Sequence, residues 1–355
     1  MLGYQLSYFM DILIFIIALS ILVLVHEFGH FFAAKITGVR VEEFGLGLPP
    51  KIISKKFWGT VWSLNWLPIG GFCKLYGEDP SSLIKTKDSF MDKNPWQKGL
   101  IVLGGVFMNM VLAIAIFAVV YTVMGIPIET DKVKIIGIAK NSPAEMAGLK
   151  VDDVIISINN IQIKKGNELT EIVNKNRGKK ITVGVQGIAP IQLLARENPP
   201  AGEGSLGVVI SNIEMQPIRW WEFYKGIGAG FKEAYFWGKI IFDGVTKMVG
   251  GLFLGQVPKD VTGPIGMFNA TSSIRLNQGF LAVIHFFGVV SVNLAVVNVL
   301  PFPALDGGRI IFVIYEMIFR KKANAKFETM VNNLGMVILL SMIVLISIGD
   351  VRRLF

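Results

Sequence analysis

Four long apolar runs divide this 355-residue chain and predict four transmembrane helices. They cover residues 10–34, 100–124, 280–300 and 333–349. A helix rises about 1.5 Å per residue, so about 20 apolar residues cross the roughly 30 Å hydrocarbon core of a bilayer. The pattern therefore predicts a polytopic α-helical membrane protein.

A polar segment interrupts this pattern between the second and third runs. Its composition is that of an α/β domain, with a short helix predicted in 141–149 and a turn and strand over 152–159. The predicted organisation is a membrane core formed by residues 1–125 and 279–355, an inserted domain at 126–212 and an interfacial region at 213–278.

The loop at 35–98 contains a predicted β-hairpin, with strands at 51–58 and 61–67 around a Gly-Thr turn. This hairpin is unusually apolar for a loop. We expect it to dip into the bilayer and to offer an edge to an extended substrate, with Trp62 and Leu64 as candidate contacts. A small interfacial sheet with its aromatic rings at headgroup level is the alternative.

Residues 217–255 mix aromatic side chains with charges that recur at spacings of seven and four. This spacing gives one polar stripe on a helix, so we expect an amphipathic helix on the outer membrane surface. Packing against the inserted domain is the alternative.

Charge predicts the orientation in the membrane. Only 17% of residues are charged and the net charge is +9. Lysines crowd the loop at 35–98 and are missing from the first ten residues. The positive-inside bias therefore places that loop in the cytoplasm, and both termini and the inserted domain on the other side of the membrane.

The amino-acid composition also argues against some classes of function. No basic–aromatic array typical of nucleic-acid binding occurs, so no nucleic-acid partner is expected. The single cysteine, Cys73, excludes an internal disulfide and a cysteine-rich metal site, and a small apolar filler is its expected role. The first run passes into its motif without a cleavage site, so we interpret it as a retained helix and not a signal peptide.

The first apolar run contains a motif that suggests chemistry. His26 and His30 are four residues apart, so a helix projects both imidazoles from one face at metal-chelating distance. Glu27 lies beside them, where it can take a proton from water. Ionisable groups are costly in hydrocarbon and there indicate function. The H-E-x-x-H pattern predicts a Zn²⁺ peptidase.

Zinc needs a third protein ligand, and Asp306 is the candidate. His285 precedes it by 21 residues, about 31 Å along a helix, so the predicted topology puts His285 near the outer face. A packing or hydrogen-bonding role is expected for that histidine. Asp306 follows the third run at its cytoplasmic end, after prolines that break the helix, and so lies at the depth of His26 and His30.

Three asparagines lie inside the apolar runs. Asn293 and Asn298 are candidate donors to a substrate backbone or an oxyanion, with helix–helix hydrogen bonding as the alternative. Asn109 is either an interhelical hydrogen bond or a site residue, and the sequence does not separate these two roles.

The chain resembles the bacterial site-2 protease family, of the regulator-of-sigma-E protease type. The resemblance extends over nearly the whole chain. It rests on the motif at His26–His30 and on residues 44–49, 68–71 and 263–266. It also rests on the identity and spacing of Asn293, Asn298, Pro301, Pro303, Leu305, Asp306 and Gly307. Residues 142–159 also resemble the signature of a bacterial PDZ domain, and 204–208 would be its carboxylate-binding loop.

The resemblance implies intramembrane zinc proteolysis, with His26, His30 and Asp306 as ligands and Glu27 as base. It implies a membrane-embedded hairpin at 52–66 and regulated cleavage of single-span proteins, for example membrane-anchored anti-sigma factors or remnant signal peptides. A PDZ domain that binds peptide C-termini would filter substrates already trimmed outside. Many relatives have a second PDZ domain, and relatives often have proline where this chain has Val106.

Two other classes of function remain to be distinguished. A zinc transporter or metal chaperone would need ligands along a path across the membrane, whereas one cluster is visible in the sequence. A catalytically silent PDZ scaffold would have no need of Glu27 and Asp306.

Overall fold

The computed structural model describes residues 2–79, 86–200, 202–254 and 262–352. The chain forms two compact units. The first combines Met1–Val120 with Trp221–Phe355, and the second is Tyr121–Trp220. The predicted inserted domain at 126–212 falls within the second unit.

Helices and strands are numbered here in chain order. The helices are α1 Leu2–Ile36, α2 Pro95–Met124, α3 Pro143–Met146, α4 Gly166–Lys175, α5 Phe223–Phe253, α6 Pro264–Gln278, α7 Phe280–Val299, α8 Asp306–Phe319 and α9 Ala325–Arg352. The strands are β1 Val41–Phe57, β2 Thr60–Leu75, β3 Ile126–Ile138, β4 Val154–Ile158, β5 Ile161–Gln162, β6 Lys180–Val185, β7 Ile191–Leu194 and β8 Val208–Gln216.

Among the described residues, four helices are long and apolar enough to cross a membrane. They are Ser7–Ile36 of α1, then α2, α7 and α9. The prediction of four such helices is confirmed, and the first, second and fourth extend beyond the predicted ends. The side of the membrane on which each end lies stays a prediction.

The membrane-type helices of the first unit pack through an apolar cluster. Leu22 of α1 is buried against Val283 and Phe287 of α7, and Leu112 of α2 packs on the same cluster. Gly288 of α7 fits closely here, because a Cβ at that position would lie 2.6 Å from the Phe117 ring of α2. Close helix approach of this kind is how small residues stabilise membrane helices.

Two helices of the first unit, α6 and α8, are not among the elements predicted from the sequence. Buried carboxylates hold both ends of α6. At its beginning, the N–H groups of Gly263 and Gly266 donate to Asp350 Oδ2 at 3.0 and 2.9 Å. Near its end, Arg275 donates to Asp11 of α1. Helix α8 begins at the predicted ligand Asp306.

The predicted hairpin is present but longer, because residues 44–49 also belong to β1. Trp58 and Gly59, both at positive φ, form its turn. Residues 43–46 pair on two sides at once, with 61–64 and with 71–74. The sheet therefore has outer edges at 51–57 and 71–75. Its position in a bilayer stays a prediction.

The predicted amphipathic helix is α5, and one face of it packs on α2 and α7. A Cβ at Gly230 would lie 2.6 Å from the Ile114 carbonyl oxygen of α2. Glu233 Oε1 lies 3.2 Å from His285 Nε2 of α7 and accepts a 2.8 Å hydrogen bond from Trp237. A location of α5 on the outer membrane surface stays a prediction.

The second unit is an antiparallel sheet in the order β7-β6-β4-β3-β8, with β5 paired to β4. Its buried core includes Val133, Ile155, Ile158 and Val183. Ser142 caps α3 by accepting a hydrogen bond from the Glu145 N–H at 3.2 Å. The strand and helix predicted near 141–159 are thus present, while the assignment to the PDZ family stays a prediction.

Candidate metal centre

Helix α1 places two imidazoles beside one another. His26 and His30 are one helical turn apart, and their Nε2 atoms approach to 3.2 Å. Their rings meet edge to face, with centroids 4.8 Å apart. Both Nε2 atoms are therefore directed at one point.

The third donor, the carboxylate of Asp306, reaches that point because the chain turns back sharply after α7. Helix α7 ends at Val299, and α8 begins at Asp306. Gly307 allows this reversal, since a Cβ there would lie 2.0 Å from the Leu300 carbonyl oxygen. Ala304 has a φ of 73°, a left-handed conformation that is strained for alanine. The loop that presents Asp306 is thus tightly constrained.

The three side chains form a compact donor set. Asp306 Oδ2 lies 3.1 Å from His26 Nε2 and 3.4 Å from His30 Nε2. Four-coordinate zinc with bonds of about 2.0–2.1 Å separates neighbouring ligand atoms by about 3.3 Å. The three distances, including the 3.2 Å between the imidazoles, are those of one face of such a tetrahedron. Two imidazoles and a carboxylate therefore fit zinc in chemistry and in spacing.

Asp306 is ionised in this setting. Burial alone would raise the pKa of its carboxyl, but the His26 and His30 side chains bonded to it outweigh burial and hold the pKa well below its usual range. An ionised carboxylate is the form that binds a metal cation.

A cavity of about 390 Å³ opens onto the donor set. It is lined by all three donors and by Glu27, and also by Phe72 and Cys73 of β2. The backbone N–H of Cys73 donates to the Glu27 carboxylate. The outer edge of the hairpin at 71–75 thus forms part of the cavity wall, in contact with Glu27.

Cys73 also lines this cavity, and its thiol is neutral. Burial first, and then the nearby carboxylates of Glu27 and Glu78, raise the pKa of Cys73 well above its usual range. Its sulfur is not part of the group of described donor atoms that lie close enough together to hold a metal ion. Cys73 is therefore a small wall residue beside the donor set.

The four predicted substrate contacts are not among the residues that line this cavity. Asn293 is exposed and Asn298 half-buried on α7. Trp62 packs on Phe31 and Phe44, and Leu64 is exposed on the hairpin. Their roles toward a substrate stay predictions.

Within the described residues, His26, His30 and Asp306 are the group of side chains that could hold a metal ion. His285 lies apart from them. Its ring packs on Phe117 and its Nε2 faces Glu233.

Three residues of helix α2 lie against the two imidazoles. The sequence did not predict this role for two of them and left the role of Asn109 open. The carbonyl oxygen of Ile101 lies 2.9 Å from His30 Nδ1, and Asn109 Nδ2 lies 3.3 Å from His26 Nδ1. Between them, Gly105 leaves room for the rings, because a Cβ there would lie 2.6 Å from His30 Nε2. The spacing of residues 101, 105 and 109, which puts them on one face of α2, is the only sequence signal for these contacts.

The chain combines apolar helices long enough to cross a membrane with a donor set of two histidines and one carboxylate, and a glutamate lies beside that set. These features define a membrane metalloprotein with the side chains of a zinc hydrolase. Comparison with known sequences gives the family. The family model for peptidase family M50 matches residues 14–342, and the chain belongs to that family.

Similar proteins support the same assignment. A Clostridium acetobutylicum protein named "Putative zinc metalloprotease" is 32% identical, covering 97% of this chain and 98% of its own. A Fusobacterium nucleatum protein of the same name is 32% identical, covering 98% and 100%. A Staphylococcus aureus protein of that name is 28% identical, again covering 98% and 100%. The chain is a membrane metalloprotease of a zinc-dependent family.

Proposed function

We propose that this membrane metalloprotease hydrolyses peptide bonds within or near transmembrane segments of single-span proteins, with zinc held by His26, His30 and Asp306. The observation that carries the proposal is the placement of the donor set. Two of its members belong to a helix apolar enough to cross a membrane, and the three donor atoms have the spacing of a tetrahedral zinc face.

In this proposal the bound zinc and the Glu27 side chain have separate chemical roles. Zinc, when bound, supplies Lewis acidity that polarises the scissile carbonyl and activates water. Glu27 accepts a proton from the attacking water as general base and delivers it to the leaving nitrogen as general acid. The Cys73 N–H that donates to Glu27 aims its carboxylate into the cavity.

The hairpin is proposed to hold the substrate. A peptide bond in a helix is cut only after the local backbone becomes extended. The amide groups that lose their helical hydrogen bonds are then costly in free energy in lipid. The outer edge at 71–75 faces the cavity, so an extended peptide paired with this edge would run past Glu27. We therefore propose strand addition at 71–75, whereas the sequence alone suggested the 51–67 stretch. Asn293 and Asn298 would contact the substrate from α7.

The second unit is proposed to act as a PDZ-type filter outside the cytoplasm, with peptide C-termini as its ligands. The active centre would lie toward the cytoplasmic side, and both chain termini outside. Regulated cleavage of anti-sigma factors or remnant signal peptides would suit this arrangement. The support is the PDZ-like sequence at 142–159 and the lysine-rich loop at 35–98.

A matched pair of histidine variants tests the proposal in lipid vesicles. Purified wild-type protein should bind one zinc per chain and cut a single-span model peptide in its span. His30→Gln should lose both properties, whereas His285→Gln should keep both. Zinc flux without cleavage would instead identify a transporter or metal chaperone. Zinc and peptide binding without cleavage would identify a silent scaffold.

A further inference from the structure

Helix α2 meets the two imidazoles with residues one turn apart. Ile101, Gly105 and Asn109 lie at i, i+4 and i+8, so they share one face of the helix. Ile101 contacts the Nδ1 edge of His30, and Asn109 contacts the Nδ1 edge of His26. Each imidazole therefore has its own partner on α2 at the nitrogen that faces away from Asp306.

The partner of His30 fixes its tautomer. A backbone carbonyl can only accept a hydrogen bond, so the 2.9 Å contact with Ile101 requires a proton on His30 Nδ1. The lone pair of the neutral ring then lies on Nε2, which faces His26 and Asp306. This is the form in which a histidine binds a metal through Nε2.

His26 needs the same tautomer to use its own Nε2, and so needs an acceptor at Nδ1. The side-chain amide of Asn109 is the group there, buried completely. Its Oδ1 is buried and has no hydrogen-bond partner among the described residues. A half-turn of the amide about the Cβ–Cγ bond exchanges Oδ1 and Nδ2 and places the acceptor at His26 Nδ1.

We propose that Asn109 is a positioning residue of the zinc centre, whose Oδ1 accepts the Nδ1–H of His26 and so holds the Nε2 lone pair toward zinc. This inference rests on the proposed function, because it takes His26 as a ligand. With the half-turn, Oδ1 accepts the Nδ1–H of His26, and both imidazoles have the same metal-binding tautomer. It leaves the protein backbone unchanged.

The side chain of Asn109 acts separately from the contact that joins α2 to α7. That contact is made by the main chain, where Ser291 Oγ donates to the Asn109 carbonyl oxygen at 2.8 Å. Ser291→Ala removes this interhelical hydrogen bond and leaves the amide in place. It is therefore the matched control for a purely structural effect.

Zinc affinity of the full-length protein in detergent, measured by chelator competition, tests the assignment. Asn109→Leu keeps the volume but has no acceptor, and should weaken zinc binding by about 10- to 100-fold, as loss of such a partner typically does. Asn109→Asp has acceptors only and should retain near-wild-type affinity. Ser291→Ala should leave the affinity unchanged.

A measurement on the wild-type protein keeps the assignment testable if a variant fails to fold. The chain has three histidines, so ¹⁵N-histidine spectra of the zinc-loaded protein can be assigned with single histidine variants. The Nδ1 of His26 should be protonated. An unprotonated Nδ1, or a folded Asn109→Asp protein as weak as Asn109→Leu, would overturn the role of Asn109.

His26→Ala separates failure of this inference from failure of the proposed function. If His26→Ala binds zinc as tightly as the wild type, the proposed metal centre is wrong, and the inference falls with it. If His26→Ala loses zinc while a folded Asn109→Leu protein keeps it, the centre stands and Asn109 is not its positioning residue.

Discussion

Gly29 of α1 and Gly104 of α2 meet backbone to backbone. A Cβ at Gly29 would lie 2.1 Å from the Gly104 carbonyl oxygen, and one at Gly104 would lie 2.6 Å from the Gly29 carbonyl oxygen. This contact falls inside the H-E-x-x-H motif. The two glycines let the helices approach closely enough for the α2 backbone to reach the imidazole of His30. The geometry of the motif therefore depends on the Gly104-Gly105 pair.

Gly105→Ala is predicted to weaken zinc binding by at least about tenfold, the lower end of what disturbing the surroundings of a ligand costs. The added methyl group would lie 2.6 Å from His30 Nε2 and 2.7 Å from His26 Cε1, so the rings must move. Chelator competition measures the effect. Gly228→Ala on α5 is the control, because its new Cβ meets nothing within 4 Å. Equal zinc affinities in both variants would show that close approach of Gly105 to the imidazoles is not needed for zinc binding.

Asp306→Asn is predicted to weaken zinc binding strongly, because a neutral amide replaces the one charged ligand. Zinc occupancy at low free metal gives the measurement. Asp243→Asn on an exposed position of α5 is the control for the loss of one negative charge, and should keep its zinc. Normal occupancy in Asp306→Asn would show that the third ligand lies elsewhere.

Much of the centre could be predicted from sequence because its geometry is local. His26, Glu27 and His30 need only one turn of helix to converge, and His285 could be set aside by its distance along the chain. Asp306 required the topology of the spans as well. Each of these steps uses short-range periodicity or helix length, which sequence shows directly.

The missing parts depend on how separate elements align. Residues 43–46 pair on two sides, so the edge beside the cavity is 71–75, and no alternation pattern reveals such a double register. Helix α8 follows an irregular loop and was not predicted. The contact of Asn109 with His26 depends on the crossing of α1 and α2, set by Gly29 and Gly104.

Removal of the second unit is predicted to preserve cleavage of short transmembrane peptides and to relax discrimination against untrimmed substrates. Ile126 and Gln216 are paired across β3 and β8, so a short glycine linker can replace residues 127–215. Cleavage rates of trimmed and untrimmed substrates give the measurement. A shortened protein that folds and binds zinc but cannot cut short peptides would refute the filter role.

Substrates with helix-weakening residues in the cut region are predicted to react fastest. Glycine costs a helix about 1 kcal/mol relative to alanine, so each glycine makes local unwinding easier. Replacing such glycines by leucine should slow cleavage in one detergent. Short unstructured peptides with the same two sequences are the control and should differ little. Equal rates for the two spanning substrates would exclude unwinding as the selective step.

In the proposed mechanism, Glu27 carries out proton transfer at a zinc site made by His26, His30 and Asp306. Zinc content and cleavage of a model transmembrane peptide, measured together on purified Glu27→Gln, test it most directly. We expect wild-type zinc content and cleavage slower by about 10²- to 10⁴-fold, since the base is lost and the ligands remain. Wild-type zinc content with cleavage at the wild-type rate would contradict it.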